Sequence, residues 1–288
     1  MSAKFGPAGN SDAFSAVHKS SLAAPQWIAE QGLDCYEYQC GKGVHVGEDT
    51  ARRVGENARK HGISLSLHAP YFINLANPDP DSLQKTIGYI TSACLVASQM
   101  GASRVVIHSG ALMKRTRREA LDTALRSLRE VIRTCDGQGF GHIALCPETM
   151  GKINQLGDLE EVLELCTLDE RLIPCIDFGH LYARSLGADD GAEAFGRMLD
   201  RVESVLGQSR ASVFHSHFSH IQFTPGGGEK CHRTFDDDDG YGPDWAPLAR
   251  AIARRGSSPT FICESAGTQA KDALTMKRIY QEVLTAQE

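Results

Sequence analysis

Histidine, aspartate and glutamate recur along this chain, each time at or just after the end of a short apolar segment. The set comprises His68, His108, Glu148, Asp177, His180, His217, His232 and Glu264. Imidazoles together with carboxylates are typical zinc ligands, and such a set could also bind Mn²⁺ or Fe²⁺. A tetrahedral ion takes about four ligands, so the set predicts two or three ions. Clustered ions stabilise the attacking and the leaving oxygen of a phosphoryl displacement, which predicts hydrolysis of a phosphodiester.

The segments that would position these side chains alternate between short apolar runs and helical patterns. The predicted strands are 3–5, 35–39, 64–69, 104–108, 142–148, 172–177, one within 212–223, and 260–264. The predicted helices are 25–31, 48–61, 82–100, 117–135, 158–165, 192–206, 245–254 and 269–285. This alternation predicts an α/β fold, the (β/α)8 TIM barrel, in which the strand ends converge on one mouth. We expect a single domain over residues 1–288. A doubly wound sheet is the alternative, but no GxGxxG follows the first strand.

Composition and charge exclude several classes of protein. The formal net charge of the 288 residues is −6, which gives no general attraction to nucleic acid or to anionic membranes. No apolar run of about 18 residues is present, so no membrane partner is expected. The nine cysteines are scattered without a CxxC pair, and the N-terminus lacks an apolar signal segment. We therefore expect a cytoplasmic protein, and we expect it to be a monomer.

The candidate ligands lie in seven motifs that run in order over nearly all of the chain. They are HAPYFINLANPD, VVIHSGA, PETMGK, CIDFGHLYAR, HFSHIQF, GGEKCH and CESAG. With these motifs the chain resembles the endonuclease IV family of zinc-dependent apurinic/apyrimidinic endonucleases. The resemblance implies hydrolysis of the phosphodiester 5′ to an abasic site in DNA, leaving a 3′-hydroxyl, in DNA repair.

The same resemblance implies roles for individual residues. The implied zinc sites are His68 and His108 with Glu148; Asp177, His217 and Glu264 with the same Glu148; and His180 with His232. Glu148 would be the catalytic residue, because a carboxylate between two ions can orient the attacking water. Tyr71 matches a residue that in the family wedges into DNA beside the damaged nucleotide.

The chain departs from the family pattern just before the last histidine. The family has Asp-x-His, whereas this chain reads Glu229-Lys230-Cys231-His232. Lys230 therefore occupies the position of the carboxylate, and Glu229 could reach the third ion only through a local shift of the backbone. If Glu229 does not reach it, the third site is weak or Lys230 places a fixed positive charge there. In strand seven, His215 shares a face with His217 and is the substitute ligand if the register differs.

Several basic residues lie in the loops at the predicted mouth despite the negative net charge. They are Lys42, Lys114, Arg115, Arg117, Arg118, Lys152, Arg184, Lys230 and Arg233. Cations that precede a helix oppose its dipole, so the segment 114–118 indicates an anionic partner, which we expect to be DNA with abasic sites. A solvated loop is the alternative, and the acidic run 236–239 on the same side would repel phosphate.

Two other functions stay open at this point. A sugar isomerase or epimerase of the xylose-isomerase-like barrels would need one divalent ion held by Glu148, Asp177, His217 and Glu264. The hypothesis of a one-ion isomerase or epimerase gives no role to the histidines at 68, 108, 180 and 232. A non-catalytic metal- or nucleic-acid-binding protein would bind abasic DNA without turnover.

Overall fold

Parallel strands form a barrel in the computed structural model, which describes residues 2–286. The strands are β1 (Lys4–Pro7), β2 (Cys35–Gln39), β3 (Ser64–His68), β4 (Arg104–His108), β5 (Ala144–Glu148), β6 (Cys175–Asp177), β7 (His215–Phe218), β8 (His220–Thr224), β9 (Gly228–Arg233) and β10 (Thr260–Cys263). Eight of them form one sheet in the order β1-β10-β7-β6-β5-β4-β3-β2. A parallel bridge between Ala8 and Glu37 joins the two ends of that order. The predicted (β/α)8 barrel is therefore confirmed.

Helices surround the sheet and follow most of its strands. They are α1 (Asp12–Val17), α2 (Ala24–Glu30), α3 (Glu48–His61), α4 (Pro80–Met100), α5 (Arg117–Gly137), α6 (Leu159–Cys166), α7 (Phe178–Arg184), α8 (Gly191–Leu206), α9 (Gln208–Ala211), α10 (Trp245–Arg255) and α11 (Gln269–Thr285). Local sequence explains where several of them begin. The side chains of Asp79, Thr116 and Asp158 cap α4, α5 and α6 by accepting a hydrogen bond from a backbone N–H in the first turn.

The hydrophobic core lies between the strands and the helices. Phe5 on β1 stacks on Phe261 of β10, with ring centroids 5.7 Å apart, and Trp245 of α10 meets Phe261 edge-on at 4.8 Å. Helix α3 buries Ala51, Val54 and Ala58, the spacing of one helical face. This packing fixes the strand ends that carry the candidate ligands.

Three features differ from the sequence-based expectation. Helices α1, α7 and α9 were not predicted, because each is a short segment of four to seven residues without a long periodic pattern. The predicted strand at 172–177 is limited to β6, which begins just after Pro174. The segment 212–223 holds the barrel strand β7 and then β8, which leaves the barrel and pairs with β9 in an antiparallel hairpin. His232 therefore lies in a strand rather than in a loop.

Within residues 2–286, none of the helices has the length and apolar character needed to cross a membrane.

Candidate metal centre

The candidate ligands meet at the carboxyl ends of the barrel strands, around a cavity of about 360 Å³. Those that line the cavity are His68, His108, Glu148, His180, Glu229, His232 and Glu264. Strand register explains the meeting, because His108 is the partner of Glu148 across β4 and β5, and Asp177 is the partner of His217 across β6 and β7. Neighbouring strands lie about 4.8 Å apart, so such partners bring their side chains together.

Glu148 is the centre of the cluster, and its side chain is 1% exposed. Its Oε1 lies 2.9 Å from Nδ1 of His217, and its Oε2 lies 3.2 Å from Nε2 of His68 and 3.3 Å from Nε2 of His108. Burial alone would raise the pKa of Glu148, but the charge of His217 and the hydrogen bonds from the three histidines hold it well below its usual range. The ionised carboxylate can therefore face two donor groups at once.

A second donor group shares Glu148 with the histidines described above. Donor atoms of Glu148, Asp177, His217 and Glu264 all lie within 4.8 Å of one another. Asp177 accepts a hydrogen bond at Oδ1 from the backbone N–H of His180, 2.7 Å away, and so caps α7. Its Oδ2 is buried and lies 3.2 Å from Nδ1 of His180, but that nitrogen contacts the carbonyl oxygen of Thr149, so Oδ2 has no aligned donor among the described residues. A buried carboxylate oxygen without a donor is costly, and a cation among these four side chains would remove that cost.

A third donor group consists of His180, Glu229 and His232, whose donor atoms also lie within 4.8 Å of one another. Nε2 of His180 lies 3.6 Å from Oε2 of Glu229. The Asp-x-x-His spacing places His180 in the first turn of α7, beside Asp177, which caps this helix. Imidazoles with one carboxylate are a fitting ligand set for zinc.

A β-bulge brings Glu229 into this group. Across the hairpin, Gln222 pairs with Cys231 and Phe223 pairs with Glu229, so Lys230 is left without a partner. Residues three apart on a regular strand point to opposite faces, but one extra residue restores the same face, so Glu229 and His232 both point to the cavity. Gly151 makes room, because a Cβ there would lie 2.7 Å from Cβ of Glu229. Glu229, rather than Lys230, thus brings its carboxylate beside His180 and His232.

Backbone carbonyls and a hydroxyl hold four of the histidines in one orientation. In His68, Nδ1 contacts the carbonyl oxygen of Ala69 at 2.7 Å. In His108, it contacts the carbonyl oxygen of Tyr71 at 2.9 Å. In His180, it contacts the carbonyl oxygen of Thr149 at 2.8 Å. In His232 it contacts Oγ of Ser219 at 2.8 Å. An Nδ1–H that donates to an oxygen leaves the Nε2 lone pair free, as in histidines that bind metal.

Two of these histidines carry protons when only protein groups surround them. Burial lowers the pKa of His68, but the hydrogen bond and the charge of Glu148 outweigh burial and raise it to about 9. Burial also lowers the pKa of His180, while the charges of Asp177, Glu229 and Glu148 raise it to about 9. Burial raises the pKa of Asp177 above its usual value. A bound cation would displace such protons, since metal ligands must be deprotonated.

Comparison with known proteins places the chain in a family. A family model described as a xylose isomerase-like TIM barrel matches residues 25–282. The chain belongs to this family. A Methanocaldococcus jannaschii protein, named only as uncharacterised, is 30% identical to this barrel over 256 residues, 89% of this chain and 90% of the relative.

Relatives named as endonucleases and as epimerases both resemble this xylose isomerase-like barrel. A probable endonuclease 4 of Acholeplasma laidlawii is 27% identical over 165 residues, 54% of each chain, so the match spans about half of that relative. The solved endonuclease IV of Thermus thermophilus has a TM-score of 0.68 at 18% identity and covers 98% of this chain and 99% of its own. A solved D-tagatose 3-epimerase-like protein has a TM-score of 0.73 at 18% identity and covers 99% of each. The predicted resemblance is confirmed, at the low identity of a divergent member.

One buried carboxylate of this xylose isomerase-like barrel was missed at the sequence level. Glu37, in the middle of β2, is fully buried. Its Oε2 accepts hydrogen bonds from Oγ of Ser66 and Nε2 of His215, both at 2.9 Å, and its Oε1 accepts one from Nε2 of Gln39 at 3.1 Å. Burial alone would raise the pKa of Glu37, but the charge of His217 and the hydrogen bonds of His215 and His217 hold it well below its usual range. A carboxylate in mid-strand, rather than at a strand end, gave no signal of function.

His215 is directed away from the cluster and toward Glu37. Burial lowers the pKa of His215 to about 4, although Glu37 opposes that shift, so the imidazole is neutral. The register of β7 thus directs His217 to Glu148 and His215 to the barrel interior. His217 thus lies with Glu148, Asp177 and Glu264, whereas His215 contacts Glu37 and lies near Cys175 and His217, so the assignment of the ligand to His217 stays a prediction.

The basic segment before α5 has partners within the protein. Arg115 donates to the carbonyl oxygen of Ala76, and Arg117 pairs with the buried Glu161 at 2.5 Å. Arg118 pairs with Glu164 at 2.9 Å and also contacts Asp122. Carboxylates and carbonyl oxygens within the protein therefore already pair with these three arginines, and the anionic partner that the segment indicates stays a prediction.

Other charged and aromatic residues at the mouth are placed differently. Lys152 lines the cavity, and no ion pair of Lys152 occurs within residues 2–286. Lys230 is exposed on the bulge and does not line the cavity. Tyr71 lines the cavity with its side chain 59% exposed. In the acidic run 236–239, Asp239 pairs with Arg233 at 2.8 Å and Asp236 pairs with Lys271, so part of its charge is neutralised.

Proposed function

We propose that this xylose isomerase-like barrel is a metal-dependent phosphodiesterase that hydrolyses DNA on the 5′ side of an abasic site and leaves a 3′-hydroxyl. The observation that carries the proposal is the third donor group, His180, Glu229 and His232. A one-ion isomerase has no use for these three side chains, whereas a multi-ion phosphodiesterase needs them. The relatives named as endonucleases support the same assignment.

Three sets of side chains would hold the ions. The first is His68 and His108 with Glu148, the second is Asp177, His217 and Glu264 with Glu148, and the third is His180, Glu229 and His232. The mixture of imidazoles and carboxylates favours Zn²⁺, with Mn²⁺ and Fe²⁺ as the ions to compare. When bound, such ions supply Lewis-acid stabilisation of phosphate oxygens and lower the pKa of water.

The chain itself would position the nucleophile and the DNA. Glu148 has one oxygen toward each of the first two sets, so it can orient the attacking water between them. Tyr71, exposed at the rim, can stack against the nucleotide beside the lesion, as enzymes that extrude a nucleotide require. Lys152 offers a cation inside the cavity for the phosphate, and Lys230 offers one outside it for a neighbouring phosphate.

A second candidate is a sugar epimerase with one divalent ion. The specific observation in its favour is the compact set Glu148, Asp177, His217 and Glu264, which can hold one ion without the other histidines. The similarity in fold to an epimerase-like protein is compatible with either reaction. This reading assigns no role to the third donor group.

Both reactions can be tested on one preparation. Protein loaded with Zn²⁺ or Mn²⁺ is incubated with a duplex that carries one abasic-site analogue, and separately with ketohexoses. Strand cleavage without sugar conversion supports the phosphodiesterase. Sugar conversion without cleavage supports the epimerase and contradicts the proposal. Metal content provides a further test, since about one ion per chain favours the epimerase and two or three favour the phosphodiesterase.

A further inference from the structure

We propose that Glu37 is a positioning residue that holds His217 with Nδ1 toward the Glu148–Asp177–Glu264 group and so sets the affinity of that group for its ion. The inference rests on the proposed metal binding of this group, but it does not depend on which reaction the barrel catalyses. Glu37 lies on β2, outside all seven sequence motifs and outside the three donor groups.

The two ring nitrogens of His217 face two different carboxylates. Nδ1 lies 2.9 Å from Oε1 of Glu148 and 3.4 Å from Oε2 of Glu264. Nε2 lies 2.9 Å from Oε1 of Glu37, although its N–H is not aligned as in a regular hydrogen bond. A neutral imidazole has one donor and one acceptor nitrogen. A proton held on Nε2 by Glu37 therefore leaves the Nδ1 lone pair free for a cation.

His217 differs in this respect from the other four histidines of the centre. Those four contact a neutral oxygen with Nδ1, and in His180 this nitrogen also lies 3.2 Å from Oδ2 of Asp177, a member of the centre itself. His217 is reversed, and its outer partner is a carboxylate. An ionised partner makes a ligating imidazole a stronger donor than a carbonyl does and fixes its tautomer more firmly. The histidine of the second donor group thus has as its outer partner a buried carboxylate, Glu37, that belongs to none of the three donor groups.

Glu37 is itself held rigidly enough for this role. Ser66 from β3, His215 from β7 and Gln39 from β2 donate to its two oxygens. Behind His215, Arg104 of β4 places Nη1 3.5 Å from Nδ1 and donates from Nη2 to the carbonyl oxygen of Val213 at 2.8 Å. Burial of a carboxylate is costly unless donors satisfy it. Donors on three strands meet that need here and keep the Glu37 carboxylate beside His217.

The test compares Glu37→Gln with Asp272→Asn in the full chain. Glutamine keeps the size of the side chain and removes the charge beside His217. Asp272 is an equally buried carboxylate, but its hydrogen bonds are to Phe235 and Thr268, away from the candidate ligands. Zn²⁺ and Co²⁺ affinities are measured by competition with a chromophoric chelator. We expect Glu37→Gln to weaken one ion by about 10- to 100-fold and Asp272→Asn to leave all ions unchanged. Wild-type affinity in Glu37→Gln would overturn the proposal.

The wild-type protein supplies a measurement that does not depend on the folding of a variant. In the zinc-loaded chain, ring ¹⁵N chemical shifts should report a proton on Nε2 of His217 and none on Nδ1. A proton on Nδ1 would overturn the role of Glu37. If the wild type binds these ions but cleaves no DNA, the proposed function fails while the inference on Glu37 stands.

Discussion

Oε1 of Glu148 lies 2.9 Å from Nδ1 of His217, while its other oxygen lies 3.2 Å from Nε2 of His68 and 3.3 Å from Nε2 of His108. One carboxylate therefore joins two donor groups whose members come from the five strands β3 to β7 and from Glu264, just after β10. This arrangement makes Glu148 the residue on which both groups depend, and it requires the side chain to be ionised. Substitution of Glu148 should therefore disturb both donor groups, whereas substitution of a residue that belongs to one group should disturb that group alone.

We expect Glu148→Gln to abolish most activity without unfolding the protein. The amide keeps the volume of the side chain but presents one oxygen instead of two, so it cannot serve both groups. Loss of an outer partner alone typically costs about 10- to 100-fold, so loss of this shared ligand should cost about 100-fold or more in kcat/KM. Circular dichroism would check the fold. Near-wild-type turnover in this variant would remove Glu148 from the mechanism.

We expect Glu229→Ala and Lys230→Ala to behave differently, although the residues are adjacent. The bulge directs Glu229 to His180 and His232, whereas Lys230 is exposed. Glu229→Ala should lower the metal content by one ion per chain, and Lys230→Ala should leave it unchanged. Elemental analysis after dialysis measures both. Equal loss in the two variants would contradict the role of the bulge.

We expect Tyr71→Ala to weaken binding of abasic duplex DNA by about 5- to 100-fold, the range of about 1–3 kcal/mol per stacked base. Because the side chain is 59% exposed, the free energy of unfolding should change by less than about 0.5 kcal/mol. Fluorescence anisotropy with labelled duplex measures the affinity. Leu95→Ala, which removes a side chain of 46% exposure from α4, is the control and should not affect binding. An unchanged affinity in Tyr71→Ala would exclude contact with DNA.

We expect Arg117→Met to reduce stability and Lys152→Met to reduce DNA affinity. Removal of Arg117 leaves the buried carboxylate of Glu161 without its guanidinium partner, which should cost about 1–2 kcal/mol because the half-exposed arginine is already screened by solvent. Lys152 has no such partner in the described part of the chain, so its loss should leave stability nearly unchanged. Thermal unfolding and salt-dependent DNA binding separate the two effects. A large loss of affinity in Arg117→Met alone would reverse this assignment.

The sequence was informative where side-chain type and strand position coincide. Apolar runs alternating with helical patterns predicted the barrel, and His108 and Glu148 at strand ends predicted the mouth. It was not informative about Lys230, because a bulge depends on how two strands pair rather than on one strand alone. The partners of Arg117 and Arg118 were also hidden, since Glu161 and Glu164 lie on α6, more than 40 positions along the chain. Contacts between different segments of the chain thus determine both the bulge at Lys230 and the partners of the two arginines.

The first experiment to perform on the proposed phosphodiesterase activity is cleavage of a duplex with one abasic-site analogue. Zinc-loaded wild-type protein is compared with chelator-treated protein and with Glu148→Gln, after metal analysis has shown which ions each sample holds. In the loaded wild type alone, we expect cleavage on the 5′ side of the lesion that leaves a 3′-hydroxyl. Extension of the product by a DNA polymerase detects that hydroxyl. Intact duplex in the presence of a fully loaded centre would contradict the proposed activity.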